Sequence, residues 1–208
     1  MDIRLPEVTL QQLLLRLAAT LLTLAVSGFV TTWAVRRAGD AGPAHDGRLT
    51  LSPFAHLDLA AGLAGLFFRV TWLRPLEADP RMFRSPVRGT ATVVALSTLS
   101  LVVLALAALF GRTMVVQALG ARAALTPVQV LTATYEVAIG TALLNLLPLP
   151  PLLGGLWWGA IGAEAGRLAA RQSVRVIGTC VVAALLLTGL AEQLLALVRR
   201  SLMQLAGF

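Results

Sequence analysis

The chain has 208 residues, 57% of them hydrophobic and 13% charged, with a mean hydropathy of +0.81, which excludes an ordinary soluble domain and predicts an integral membrane protein. Its net charge of +7 comes from 17 basic residues, all arginine, scattered between apolar runs as on a cytoplasmic membrane face rather than gathered as in a nucleic-acid groove. One cysteine, Cys180, and two histidines, His45 and His56, exclude a disulfide scaffold and an all-histidine metal site.

Asp2, Arg4 and Glu7 precede an apolar stretch too long for a secretory signal, with no small-x-small cleavage site, so the first span is expected to stay in the mature protein. Segments near residues 11–35, 89–111, 127–147 and 174–198 are long enough to cross about 30 Å of hydrocarbon as helices. Arg16 in the first and Glu192 in the last lie where their side chains can snorkel. The loop 39–53, with Gly39-Asp40, Gly42-Pro43 and Asp46-Gly47 as turn formers and an alternating Arg48-Leu-Thr-Leu51, predicts a short β-hairpin. Residues 57–73 form a shorter apolar piece, either a thin span or a re-entrant hairpin. Arg36, Arg37 and Arg48 precede it and Arg74, Arg81, Arg84 and Arg88 follow it, which favours re-entry from the cytoplasmic side and an outside N-terminus. Three prolines in four positions, Pro148, Pro150 and Pro151, cannot continue a regular helix. Residues 156–172, with Trp157 and Trp158, then read as an amphipathic piece at the lipid interface. No internal repeat or low-complexity linker divides the chain, which predicts one domain over 1–208. The expected fold is an all-α polytopic membrane protein with four to five transmembrane or re-entrant helices and a short membrane-surface β-hairpin.

Four groups of residues are candidates for function. Ser27 and Thr31 stand one turn apart on the first span, suited either to a ligand or to hydrogen bonds with the i−4 carbonyl and a neighbouring helix. His56 and Asp58 are a ligand pair or acid/base couple in one reading and a structural hydrogen-bond group in the other. Glu136 lies within an apolar segment, where a carboxylate needs a proton or a partner: a proton path, a partner subunit, an arginine of the same chain or a shallow water pocket would supply one. Asn145, next to the prolines, carries an amide able to hold the backbone of a guest peptide. Cys180 reads as a small apolar residue.

Taken in order, several of these segments resemble the site-2 protease family of intramembrane zinc metalloproteases, over about residues 20 to 156. The family pattern runs from a zinc-binding H-E-x-x-H helix through a G-D turn to G-R-L-T-L-N-P-x-x-H-x-D-P. A K-P-V-x-V-N-P-x-x-F-R-x-P-R-x-G element follows, and the pattern ends at N-L-L-P-x-P-P-L-D-G-G. The matching residues here are Gly39-Asp40, then Gly47 to Asp58 through Pro53 and His56, then Arg74 to Gly89 through Pro80, Phe83, Arg84 and Pro86, and finally 145–155. The H-E-x-x-H positions fall on Ser27, Gly28, Phe29, Val30 and Thr31, and the aspartate of the L-D-G sequence falls on Leu153. The family places two histidines at i and i+4 on one helix face, with the glutamate as general base on metal-bound water. Ser27, Gly28, Thr31 and Leu153 supply neither that ligand set nor that base. The family's proline after Asp58 is Leu59, and its G-P turn appears as Ser97-Thr98-Leu99.

The resemblance implies a degenerate member: not an enzyme, without catalytic zinc or another cofactor, and embedded in a bilayer; the absence of lysine suggests a GC-rich bacterial genome and hence an inner membrane. It is expected to bind another membrane protein or to act as an accessory subunit, with Asn145, Pro148, Pro150 and Pro151 lining the partner cleft and no role toward nucleic acid. The alternatives are an active protease with atypical ligands and a transport or proton-path protein using Glu136.

Overall fold

The computed structural model of the chain describes residues 9–189 together with Gln193, Ala196 and Arg200, and the described part is helical, with no strand. Helix α1 (Leu10–Ala38) begins at a capping box, Thr9 and Gln12 each accepting at 3.3 Å from the other's backbone N–H. It ends at Gly39, whose N–H returns to the carbonyls of Val35 and Arg36. Helix α2 spans Leu59–Phe68. Helix α3 (Pro86–Ala123) starts with proline at its first position, where the missing N–H has no intrahelical partner to lose, and breaks at Gly120. Helix α4 spans Leu125–Leu144. Two short helices, α5 (Leu156–Ile161) and α6 (Ala163–Ala170), lead to α7 (Gln172–Leu187).

Helices α1, α3 and α4 pack on one another. Leu101, Ala105, Ala108 and Leu109 of α3 bury against Tyr135, Ala138, Ile139 and Ala142 of α4, while Ala19 of α1 meets Ala133 and Val137. Small residues at these contacts let the helix backbones approach closely. A second core joins Ala61 and Ala64 of α2 to Trp72, Leu144, Leu152, Val182 and Leu186.

Among the described residues two helices, α1 and Pro86–Gly120, are long and apolar enough to cross a membrane; α6 and α7, bent by 70° at their junction, make a third if counted as one broken span. This is consistent with an integral membrane protein. Helix α4 has a span's length, but four threonines, Gln129 and Glu136 lower its hydropathy. Glu192 and most of residues 190–198 lie outside the described residues.

The β-hairpin expected over 39–53 is not formed. Ala44–Arg48 makes one π-helical turn around Gly47 at φ 74°, and Pro53–Ala55 makes a 3-10 turn. An alternating stretch becomes a strand only when another segment offers its main-chain groups. Here the extended neighbour is met by a side chain instead, as the Arg48 guanidinium donates to the carbonyls of Arg74 at 2.8 Å and Pro75 at 2.9 Å.

The apolar piece 57–73 turns back on itself. Asp58 caps α2 by accepting from Ala61 N–H at 3.1 Å, and the chain reverses at Arg69, which adopts φ 58°. On the way back Thr71 Oγ1 donates to Ala61 O at 3.0 Å. Arg74 N–H then donates to His56 O at 2.8 Å, closing the mouth of the loop. The irregular return arm is sheltered, with Val70, Thr71, Trp72 and Leu73 all buried, as main chain without regular partners must be in a nonpolar medium.

Candidate functional site

Ser27, Gly28 and Thr31 lie on a buried stretch of α1. Ser27 Oγ donates to Thr23 O at 2.7 Å, one turn back. Thr31 Oγ1 donates to Ser97 Oγ at 2.8 Å, and Ser97 passes the bond on to Val93 O at 2.7 Å. Both hydroxyls are therefore engaged in helix hydrogen bonds, one local and one across to α3. Ser97, the partner of Thr31, stands where the resembled family has a turn; here α3 runs through it unbroken.

His56 fills the space beside Gly28. Its ring is fully buried and lies so close that a Cβ at position 28 would overlap Cγ, Cδ2 and Nδ1. Nε2 lies 3.0 Å from Thr50 O. A carbonyl only accepts, so Nε2 carries the proton and Nδ1 keeps a lone pair, which has no hydrogen-bond partner. Burial pushes the imidazole below its ordinary value, the Thr50 bond opposes this, and the charge of Arg48 adds to it. Asp58 is not a partner of His56; it serves as the cap of α2. Asp40 of the Gly39-Asp40 turn accepts from Gly42 N–H and Asp79 N–H, both at 2.9 Å, and so ties the end of α1 to the 79–84 segment.

Leu153 is buried in an apolar cluster with Ala34 and Val35 of α1 and Val93 and Val94 of α3. Asn145, at the end of α4, is 1% exposed, and neither atom of its amide has a hydrogen-bond partner. The prolines separate by exposure: Pro150 is buried, Pro151 half-buried and Pro148 exposed. Trp158 Nε1 donates to Pro148 O at 2.9 Å and holds the turn. Leu146, at 53% exposure, and Leu147, at 36%, stand beside Pro148 on the surface.

Glu136 meets Arg69 at 3.3 Å. Arg16 donates to the carbonyls of Leu66 at 2.9 Å and Phe67 at 3.3 Å, the last turn of α2. One sequence signal for Arg69 as a partner was available: a lone arginine ending an apolar run needs an anion or carbonyls nearby.

Among the described residues no group of three or more His, Cys, Asp and Glu side chains lies together. Comparison of the chain with protein-family models, curated proteins and solved structures finds no match.

Proposed function

We propose that this protein is a membrane-embedded, non-proteolytic relative of the site-2 proteases that works by binding another membrane protein. The observation that carries the reading is the contact of His56 with Gly28: the volume in which a catalytic base would have to stand is filled by the protein's own ring. Leu153 adds an apolar side chain where the family pattern has a zinc-binding carboxylate. Hydrolysis needs both a polarised water and a base, whereas recognition of a partner needs only surface.

On this reading the arginines set the depth in the bilayer. Arg16 and Arg36 are 20 residues apart on α1, about 30 Å at 1.5 Å per residue, which is the thickness of the hydrocarbon. The basic rim then passes through Arg36, Arg37, Arg84 and Arg88, and Arg16 marks the opposite end of the α1 span. Helices α1, α3 and α4 span, α7 enters from the basic rim, and 57–73 re-enters, in an inner membrane of bacterial type. Glu136 is paired with Arg69 where α2 ends, which favours an anchoring role for it over a proton path.

The exposed Leu146, Leu147 and Pro148 are the part of the proline turn open to a partner. A photo-crosslinking residue placed at Leu147 or Pro148 in native membranes is expected to trap one discrete membrane protein. The same residue at Leu99, 56% exposed on α3, is expected not to trap it. Equal trapping from all three positions, or chelator-sensitive peptide cleavage by the purified protein, would overturn the proposal.

A further inference from the structure

A groove of about 470 Å³ lies between the extended segment 73–81 on one side and the proline turn with α5, α6 and the start of α7 on the other. Arg74, Arg167 and Arg175 line it, and none of the three guanidiniums has a hydrogen-bond or ion-pair partner among the described residues. Arg81 also lines it but is held by Asp79 at 2.6 Å. Glu77 is the remaining carboxylate on the wall, so unpaired positive charge dominates. Leu76, Leu152 and Leu156 make the wall partly apolar.

We propose that this groove binds the headgroup of an anionic phospholipid from the leaflet on the basic side. A guanidinium presents a planar fork of donors that fits a phosphate with two parallel hydrogen bonds, and three such groups line the groove from its two sides. The location fits the same ligand. The chain bends by 70° between α6 and α7, and the helix that carries Arg175 continues at once into exposed apolar surface at Val176, Ile177 and Val181. A molecule whose phosphate sits among the arginines therefore has apolar protein beside it for its glycerol and acyl chains. A free phosphate gains nothing from those walls, and an acidic peptide would leave its charged residues beside the apolar surface of α7. Basic pockets between membrane helices on the cytoplasmic side are suited to anionic headgroups for this reason. The site is independent of the partner surface at Leu147 and of the packing around Gly28.

The test is native mass spectrometry of the purified full chain with phosphatidylglycerol or phosphatidylcholine in matched detergent. One tightly retained phosphatidylglycerol is expected, with phosphatidylcholine bound about tenfold more weakly. The double variant Arg167→Gln/Arg175→Gln is expected to lose about tenfold in affinity for phosphatidylglycerol. Arg74→Gln, on the opposite wall, is expected to weaken it in the same direction. Arg36→Gln/Arg88→Gln, which removes as much charge from the same end of the helices but not from the groove, is expected to bind like the parent. Equal loss in that control would reduce the effect to general surface charge and overturn the site. Displacement of the lipid by millimolar inorganic phosphate would reassign it to a free anion, and displacement by a short glutamate-rich peptide would reassign it to a protein partner; either result overturns the lipid proposal.

Discussion

The contact between Gly28 and His56 couples two positions that are far apart in the chain and ties the core of α1 to the loop before α2. A methyl group at 28 has no room while the imidazole is present, and overpacking of a filled interior costs about 1–3 kcal/mol. Gly28→Ala is therefore expected to lower the stability of the protein in detergent by about 2 kcal/mol. In a His56→Ala background, where the ring is gone, the same change is expected to cost close to nothing. Denaturant unfolding of the four proteins measures this coupling, and additive losses would show that the ring is not what excludes the side chain. The cycle also bears on the proposed function, since a glutamate placed at 28 without moving His56 meets the same obstruction in larger form.

Helix α2 owes its position to charges at its end. An α-helix leaves its last carbonyls without intrahelical donors, and α2 ends among apolar neighbours, where Arg16 supplies donors to two of them. Arg69 then reverses the chain in a left-handed conformation, which costs a residue with a side chain about 1–2 kcal/mol and glycine far less. Its ion pair with Glu136 is partly exposed, and such pairs contribute up to about 1 kcal/mol. Arg69→Gly is expected to leave stability within about 1 kcal/mol of the parent, because relief of the backbone offsets loss of the pair. Arg69→Ala, which loses the pair and keeps the strain, is expected to be less stable than Arg69→Gly by about 1 kcal/mol. Thermal unfolding in one detergent separates the two, and an equal or higher midpoint for alanine would remove the strain argument. Sequence reading located α1 and α3 because long apolar runs bounded by arginines have few other solutions. It failed at 39–53, where alternation suggests a strand but strand formation depends on a partner elsewhere in the chain. The Arg48 contacts that replaced the pairing carry no local signature. At the candidate site the small or apolar character of Ser27, Gly28, Thr31 and Leu153 was legible directly. The filling of that space by His56 was not, since no spacing rule says which side chain occupies a volume left by glycine.

For the whole molecule, the decisive geometry is that residues 56 and 74 meet. A segment that crossed the bilayer between them would hold its ends about 30 Å apart, yet Arg74 N–H lies 2.8 Å from His56 O, and Arg48 binds the carbonyls of Arg74 and Pro75. On the proposed reading the loop before α2 and the segment after it therefore lie on one side of the membrane, and α2, about 15 Å long, does not cross between them. Because the chain has a single cysteine, Cys180→Ser gives a background for testing this. Asp46→Cys and Glu77→Cys, both at exposed positions, are expected to react with a membrane-impermeant maleimide from the same side as Arg88→Cys, at the start of α3. Leu125→Cys, at the other end of the α3–α4 pair and 63% exposed, is expected to react from the opposite side. Labelling of Asp46→Cys and Glu77→Cys from opposite sides would mean that 57–73 crosses the bilayer, and the re-entrant reading would fall with it.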